Sequence, residues 1–183
     1  ADSTHSMTLN ISRQAIVDAG ADITICQTSP SVSLPSATAI YATSLLWTSS
    51  GTGTFVDPTV LNAVYQPSAA DIATGSVVLT LTGTSTAPCV DAVDQMTLLI
   101  TSQALAYAGP DDIICETAGS YPLAAATAGS YTSLLWTSSG TGTFDDPTLL
   151  NPVYTPDAAD IANGTVTLSL TAFGLFPCAD STH

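Results

Sequence analysis

The chain has 183 residues, of which 45% are hydrophobic and only 9% are charged. This composition is typical of a folded domain, and no apolar run approaches the roughly 18 residues that a membrane-spanning helix needs. There are 15 acidic residues against a single basic one, Arg13, so the formal net charge is −14 at pH 7. Without a basic patch the surface excludes nucleic acid as a partner, and we expect no direct insertion into a membrane.

A tandem repeat organises the sequence. The stretch TSLLWTSSGTGTF runs from Thr43 to Phe55 and returns letter for letter from Thr132 to Phe144, an offset of 89 residues. The pentapeptide ADSTH occupies positions 1–5 and again 179–183, two such periods apart. The sequence therefore predicts repeated domains, and a chain that is cut out of phase with them.

Short strands are predicted along the first half of the first repeat. Apolar and polar residues alternate in the segment Met7–Ile11, and the other candidates are bounded by Gly, Pro, Ser or Asp. Such short runs with turn residues between them are typical of β-strands. The predicted strands are Ser6–Ser12, Ile23–Cys26, Val32–Ala37 and Ser44–Ser49.

The next segments predict a hairpin and one short helix. The sequence SGTGTF that ends at Phe55 has no following lysine and no third glycine, so it favours a tight hairpin over a phosphate-binding loop. In PSAADIATG, from Pro67 to Gly75, Ser68 can cap a helical turn, Asp71 lies near its positive end and Gly75 can close it.

Two further strands complete the repeat. In Ser76–Thr82 the residues Val77, Leu79 and Leu81 share one face, which stays apolar in the second copy, so this face is predicted to be buried. The segment Met96–Ser102 alternates in the same way.

This pattern predicts an all-β protein made of tandem immunoglobulin-like antiparallel β-sandwiches with an 89-residue period. Trp47 and Trp136 are expected in the two cores, because each lies on the predicted third strand. Residues 14–102 form a complete repeat, and residues 103–183 form a second repeat that lacks its own last strand. Residues 1–13 are predicted to be the last strand of a preceding repeat.

Each repeat carries two cysteines, and no two of them form a CxxC pair that would indicate a metal site. The even count favours one disulfide within each repeat, which implies an oxidising, extracellular setting. Two free thiols in each repeat, or a bond between Cys89 and Cys115, are the alternatives. The four cysteines are Cys26, Cys89, Cys115 and Cys178.

The sequence predicts no enzyme. Its two histidines, His5 and His183, occupy one repeat position, and the complete repeat contains none, so no Ser-His-Asp or Cys-His site can form in it. Asp57, Asp71 and Asp91 could supply a carboxylate pair, but a duplicated active site in two small sandwiches is a weak hypothesis.

Calcium is the one cofactor that the sequence suggests. Asp22, Asp111 and Asp112 follow glycines near the predicted repeat junctions, where a hard cation would stiffen an array. The alternative interpretation is that these are turn residues with solvated charges and that the protein has no cofactor.

The order TIC, LLWTSSGTGTF, NAVYQPSAADIATGSVVLTLT, PC and DQMTLLI resembles the repeats of very large Bacteroidota cell-surface adhesins, of which the gliding-motility adhesin SprB is one. The resemblance extends over essentially the whole chain. It implies a secreted, cell-surface stalk or filament exported by the type IX route. Proteins of this phylum carry glycans on Ser or Thr after Asp, which makes Ser3 and Ser181 glycosylation candidates.

The expected function is therefore a non-catalytic segment of a giant repeat adhesin, used in surface adhesion or gliding motility. Its expected partners are neighbouring copies of the repeat and, through other domains, surface polysaccharide or other cells. The first alternative is a pilin-like filament subunit in which Ser6–Ser12 is donated to a neighbour. The second is a carbohydrate-binding module, but its candidate aromatic residues, Tyr41, Tyr121 and Tyr131, do not repeat.

Overall fold

The computed structural model describes residues 2–183. Ala1, the first residue of the predicted segment 1–13, lies outside the described residues. Strands are the dominant elements, and the all-β prediction is confirmed. Contacts divide the chain into two compact units. The second unit consists of Thr101–His183 together with Ile25–Thr28, a short segment that the sequence places in the first repeat.

The elements up to Thr101 are nine strands and one helix. They are β1 Ile16–Asp18, β2 Ile23–Cys26, β3 Val32–Ser33, β4 Thr38–Ile40, β5 Ser44–Ser49, β6 Thr54–Phe55, β7 Val64–Gln66, α1 Ala69–Thr74, β8 Ser76–Thr84 and β9 Ala92–Thr101.

The main sheet of the first repeat has the strand order β2-β9-β8-β5. From Val77 onward, strand β8 alternates between buried and partly buried positions, as its sequence predicted, and it pairs antiparallel with β9. In this register Val77 faces Leu98 and Leu79 faces Met96. A second sheet, β3-β7-β6, contributes the opposing side of the core, and β1 pairs with β4.

Aromatic side chains join the two sheets of the first unit. Trp47 on β5 is 1% exposed, and its ring centroid lies 6.0 Å from that of Phe55 on β6. Phe55 in turn lies 4.9 Å from Tyr65 on β7. Because these rings come from different sheets and are packed between them, the unit is a β-sandwich.

The short helix α1 forms as its sequence predicted. The Ser68 hydroxyl accepts a hydrogen bond from the Asp71 backbone N–H at 3.1 Å, and the Asp71 carboxylate accepts one from the Ser68 N–H at 2.9 Å. This reciprocal pair satisfies two backbone donors at the start of the helix. Gly75 ends the helix in the left-handed conformation, at a φ of 80°.

The elements from Leu105 onward repeat this arrangement in part. They are β10 Leu105–Tyr107, a 3-10 turn Glu116–Ala118, β11 Tyr121–Pro122, β12 Thr127–Gly129, β13 Tyr131–Ser138, β14 Thr143–Phe144, β15 Val153–Thr155, α2 Ala158–Asn163, β16 Leu168–Gly174 and β17 Ser181–Thr182. The sheets are β13-β16-β17, β11-β15-β14 and β10-β12. Trp136 is 2% exposed in a core with Leu134 and Leu170.

Two predicted strands differ from the structure. The predicted strand Val32–Ala37 is shorter, ending at Ser33, and a separate strand covers Thr38–Ile40. The predicted strand Ser6–Ser12 makes no ladder among the described residues. None of the described helices could cross a membrane, since α1 and α2 have six residues each.

Candidate assembly site

The second unit contains an open groove beside β16. Two adjoining clefts, of about 610 and 410 Å³, lie between the segment Asp112–Cys115 and the segment Thr165–Ser169. Ile114 and Val166 line both clefts. In the first repeat the corresponding space lies between β2 and β8, and there β9 fills it.

Side chains along this groove are more exposed than their counterparts in the first repeat. Ile114 is 40% exposed, whereas its counterpart Ile25 is 9% exposed. Val166 is half-buried, whereas Val77 is 2% exposed. The neighbouring Ile113 is 94% exposed. Burying an aliphatic side chain is favourable by about 1.5 to 3 kcal/mol, so this face is suited to an apolar strand.

The first residues of the chain form a hydrophobic segment without a partner strand in the part that the structure describes. Met7, Leu9 and Ile11 are 81%, 73% and 86% exposed. Their counterparts in the first repeat, Met96, Leu98 and Ile100 on β9, are 2%, 0% and 6% exposed. The same sequence pattern is thus buried where it has two neighbouring strands and exposed where it has none.

The disulfide of the second unit joins Cys26 to Cys178, across a sequence separation of 152 residues and with the Cα atoms 4.9 Å apart. The predicted bonds within each repeat, Cys26 to Cys89 and Cys115 to Cys178, do not form. The reason is that Ile25–Thr28 belongs to the second unit, where the Gln27 N–H donates to the Thr101 carbonyl at 2.8 Å. The earlier cysteine of the first repeat, Cys26, therefore bonds with the later cysteine of the next repeat, Cys178.

Cys89 is unpaired but occupies the same local structure as the bonded Cys178. The Cys89 thiol donates to the Ser12 carbonyl at 3.5 Å, and the Cys178 sulfur lies 3.3 Å from the carbonyl of the corresponding Thr101. Each cysteine N–H also closes a turn by donating to the carbonyl three residues earlier. Cys89 thus has the surroundings of a bonded cysteine and no sulfur opposite it.

Cys115 is also unpaired, and it is exposed on the wall of the smaller cleft. Its sulfur lies 3.2 Å from the Thr117 hydroxyl. Hydrogen bonds from the hydroxyl and the backbone N–H of Thr117 lower the pKa of the Cys115 thiol. A lower pKa raises the fraction of thiolate, the form that attacks a disulfide.

Asp71 and its counterpart Asp160 are structural carboxylates. The Asp71 carboxylate accepts hydrogen bonds from the N–H groups of Thr52 and Gly53, at 2.9 and 2.8 Å, and from the Tyr65 hydroxyl at 2.8 Å. Burial raises the pKa of Asp71, but the hydrogen bonds outweigh it and the pKa is lowered. A Cβ atom on Gly53 would overlap this cluster, which accounts for the glycine. The predicted hairpin at SGTGTF is wrong, because β5 pairs with β8 and β6 pairs with β7, so this loop connects two different sheets.

The calcium candidates have different local surroundings. Asp22 accepts a hydrogen bond from the Thr97 N–H at 2.7 Å, and Asp111 is exposed. Asp112 accepts one from the Tyr121 hydroxyl at 2.8 Å, which lowers the pKa of Asp112. Residues 2–183 contain no group of three or more His, Cys, Asp or Glu side chains that could hold a metal ion.

The glycosylation and aromatic candidates also differ in their local surroundings. Ser3 is exposed, whereas Ser181 lies in β17 and its hydroxyl oxygen accepts a hydrogen bond from the Ala106 N–H at 3.2 Å. The ring of Tyr41 is covered by the Arg13 guanidinium at 4.7 Å. Tyr131 is 39% exposed on β13.

No protein-family model and no curated protein sequence matches the chain. Solved structures do match it, and three of them contain cadherin-type extracellular domains. The protocadherin gammaB4 extracellular domain has 13% identity and a TM-score of 0.49, with 92% of this chain and 33% of that chain covered. The EC21-23 fragment of human CDH23 has 10% identity and a TM-score of 0.48, with 95% and 63% covered.

The third structure is the protocadherin gammaB7 EC3-6 cis-dimer, with 11% identity and a TM-score of 0.45, and with 92% of this chain and 45% of that chain covered. The chain thus spans less than two thirds of the length of each of these structures.

Proposed function

We propose that the chain is a non-catalytic segment of an extracellular repeat adhesin, in which successive β-sandwich units form a stalk. One observation carries this proposal: by the 89-residue offset, the open groove of the second unit and the exposed segment Met7–Ile11 correspond to the two sides of the β8–β9 contact in the first repeat. A unit whose open face fits the strand of the next unit is suited to a linear array.

The setting of this stalk is part of the proposal. The Cys26–Cys178 disulfide supports an oxidising compartment, and the net charge of −14 with 45% hydrophobic residues supports a soluble array that resists clumping. The repeated WTSSGTGTF supports a cell-surface adhesin of the SprB type from Bacteroidota, with a role in adhesion or gliding. Ser3 stays a glycosylation candidate, because its hydroxyl is accessible.

Small-angle X-ray scattering on arrays of two, four and six repeats tests the stalk. We expect the maximum dimension to rise by a constant increment for each added 89-residue repeat, because each unit contacts only its neighbours. A dimension that grows much more slowly than repeat number would show that the units collapse on one another, and it would contradict the proposal.

The second candidate function is a filament of separate subunits that exchange the strand Ser6–Ser12. The exposure of Met7, Leu9 and Ile11 favours it, because a donated strand must be free in the subunit before assembly. The intact mass of reduced, native material separates the two candidates. A species of hundreds of kilodaltons supports the continuous adhesin, and a species near 18.5 kDa supports the exchanged filament.

A further inference from the structure

We propose that two copies of this chain join head to tail through a strand and a disulfide that are supplied together. Ser6–Arg13 of one copy enters the groove of the other copy's second unit, and Cys89 of the first copy bonds to Cys115 of the second. This inference deepens the proposed stalk function and rests on it. In a longer polypeptide the same junction joins consecutive repeats.

The strand register follows from the first unit. There Met96 faces Leu79 and Leu98 faces Val77 across the β8–β9 ladder. The repeat offset turns these pairs into Met7 opposite Leu168 and Leu9 opposite Val166 of the accepting copy. The backbone from Thr165 to Thr167, which carries no strand ladder, would then extend β16 to a start that corresponds to Ser76, the first residue of β8.

The position of the disulfide follows from the bond that is already present. Cys26, the earlier cysteine of one repeat, bonds to Cys178, the later cysteine of the next repeat. Moving this pair by one repeat joins Cys115 to the later cysteine of the following repeat. When that repeat is the first one of a second copy, its later cysteine is Cys89.

The donated strand and the disulfide depend on each other. The Cys89 thiol donates to the Ser12 carbonyl at 3.5 Å, so Cys89 lies directly beside the end of the donated strand. Cys115 lies on the wall of the smaller cleft, whose opposite wall includes Val166. A strand seated in the groove therefore brings Cys89 to the side on which Cys115 is exposed.

The chemistry of the bond is a thiol–disulfide exchange with a small-molecule disulfide such as oxidised glutathione. The Cys115 thiolate attacks one sulfur of the oxidant and displaces one thiol, and the Cys89 thiolate then attacks this mixed disulfide and displaces the second thiol. The two cysteines lose two electrons and two protons in total. The oxidant is reduced to two thiols, so the step balances.

Oxidation of the 183-residue chain with oxidised glutathione tests the proposal. We expect a non-reducing gel to show a ladder in steps of 18.5 kDa, and mass spectrometry of acidic pepsin digests to find Cys89 joined to Cys115. On this gel, Cys89→Ser alone and Cys115→Ser alone should each give only the monomer band. A mixture of the two variants should give dimers and no larger species. Dimers of Cys89→Ser alone would show unspecific Cys115 oxidation and would overturn the disulfide.

A pair of substitutions on the donated segment tests the strand. Leu9→Asp should slow the appearance of the ladder at least tenfold, because it places a charge at a position whose counterpart Leu98 is 0% exposed. Asn10→Asp is the matched control, since its counterpart Leu99 is 45% exposed. Circular dichroism should show the same fold for both. Equal ladder rates would contradict the strand.

The scattering test separates this inference from the stalk itself. Arrays that lengthen with repeat number but carry no cysteine bond between consecutive repeats would support the stalk function and contradict the proposed disulfide junction. A Cys89–Cys115 ladder from a chain whose longer arrays collapse would support the disulfide junction and contradict the stalk function.

Discussion

At the residue scale, one buried carboxylate organises each repeat. Asp71 holds the N–H groups of Thr52 and Gly53, caps α1 and accepts the Tyr65 hydroxyl, and Asp160 makes the corresponding contacts. The sequence indicated that Asp71 lies near the positive end of a helix and named it as one candidate for a carboxylate pair, but it did not predict these contacts. Its contacts with the loop between β5 and β6 span 18 and 19 positions and depend on how β5, β6 and α1 pack.

The substitution Asp71→Asn tests this assignment. We expect it to lower the free energy of unfolding by about 1 to 3 kcal/mol at neutral pH, since charged hydrogen bonds become neutral and a donor replaces an acceptor. Urea unfolding measures the change. Asp57→Asn is the control, because Asp57 is exposed and bonds only within its own turn to Thr59, and it should have little effect.

The same carboxylate predicts a pH dependence. The folded-state pKa of Asp71 is below the ordinary value of 3.8, so near that value the folded protein binds fewer protons than the unfolded chain. Its contribution to stability is therefore complete above pH 3.8 and is lost as the pH falls through the folded pKa. Urea unfolding between neutral pH and pH 2 should show a shallower acid slope for Asp71→Asn than for the parent, and equal slopes would contradict this.

At the element scale, one sequence pattern has two outcomes. Strand β9 is buried between β2 and β8, whereas the corresponding segment Ser6–Ser12 has no ladder among the described residues. The local β-propensity of the two segments is nearly the same, so the difference in their burial comes from the presence or absence of neighbouring strands. A strand is stable when its backbone groups and its apolar face both find partners.

Matched leucine substitutions measure this difference. Leu98→Ala should lower the free energy of unfolding by about 2 to 5 kcal/mol, because Leu98 is 0% exposed and its loss leaves a cavity. Leu9→Ala should leave the monomer unchanged within error, because Leu9 is 73% exposed. Both are measured by urea unfolding at low protein concentration. A comparable loss for Leu9→Ala would show that Ser6–Ser12 is packed.

At the scale of the whole molecule, the disulfide ties a segment of the first repeat into the second unit. Cys26 and Cys178 close a loop of 152 residues. On the chain-entropy model such a loop stabilises the folded state by about 5 kcal/mol. The bond therefore favours the arrangement in which Ile25–Thr28 belongs to the second unit.

Paired serine variants test this contribution. We expect Cys26→Ser with Cys178→Ser to lower the free energy of unfolding of the second unit by about 2 to 5 kcal/mol under non-reducing conditions. Cys89→Ser with Cys115→Ser also replaces two cysteines but removes no disulfide, so the monomer should keep its stability. If both double variants behave alike in urea unfolding, the predicted bonds within each repeat regain support.

The sequence by itself determined the repeat, the all-β class and the local elements. Alternation in Ser76–Thr82 and the caps at Ser68 and Gly75 act within a few residues, and one sequence is enough to identify them. Only the tertiary structure determined which cysteines form the disulfide. In a tandem repeat each cysteine has equivalent candidates one period apart, and only the placement of Ile25–Thr28 in the second unit puts Cys26 beside Cys178.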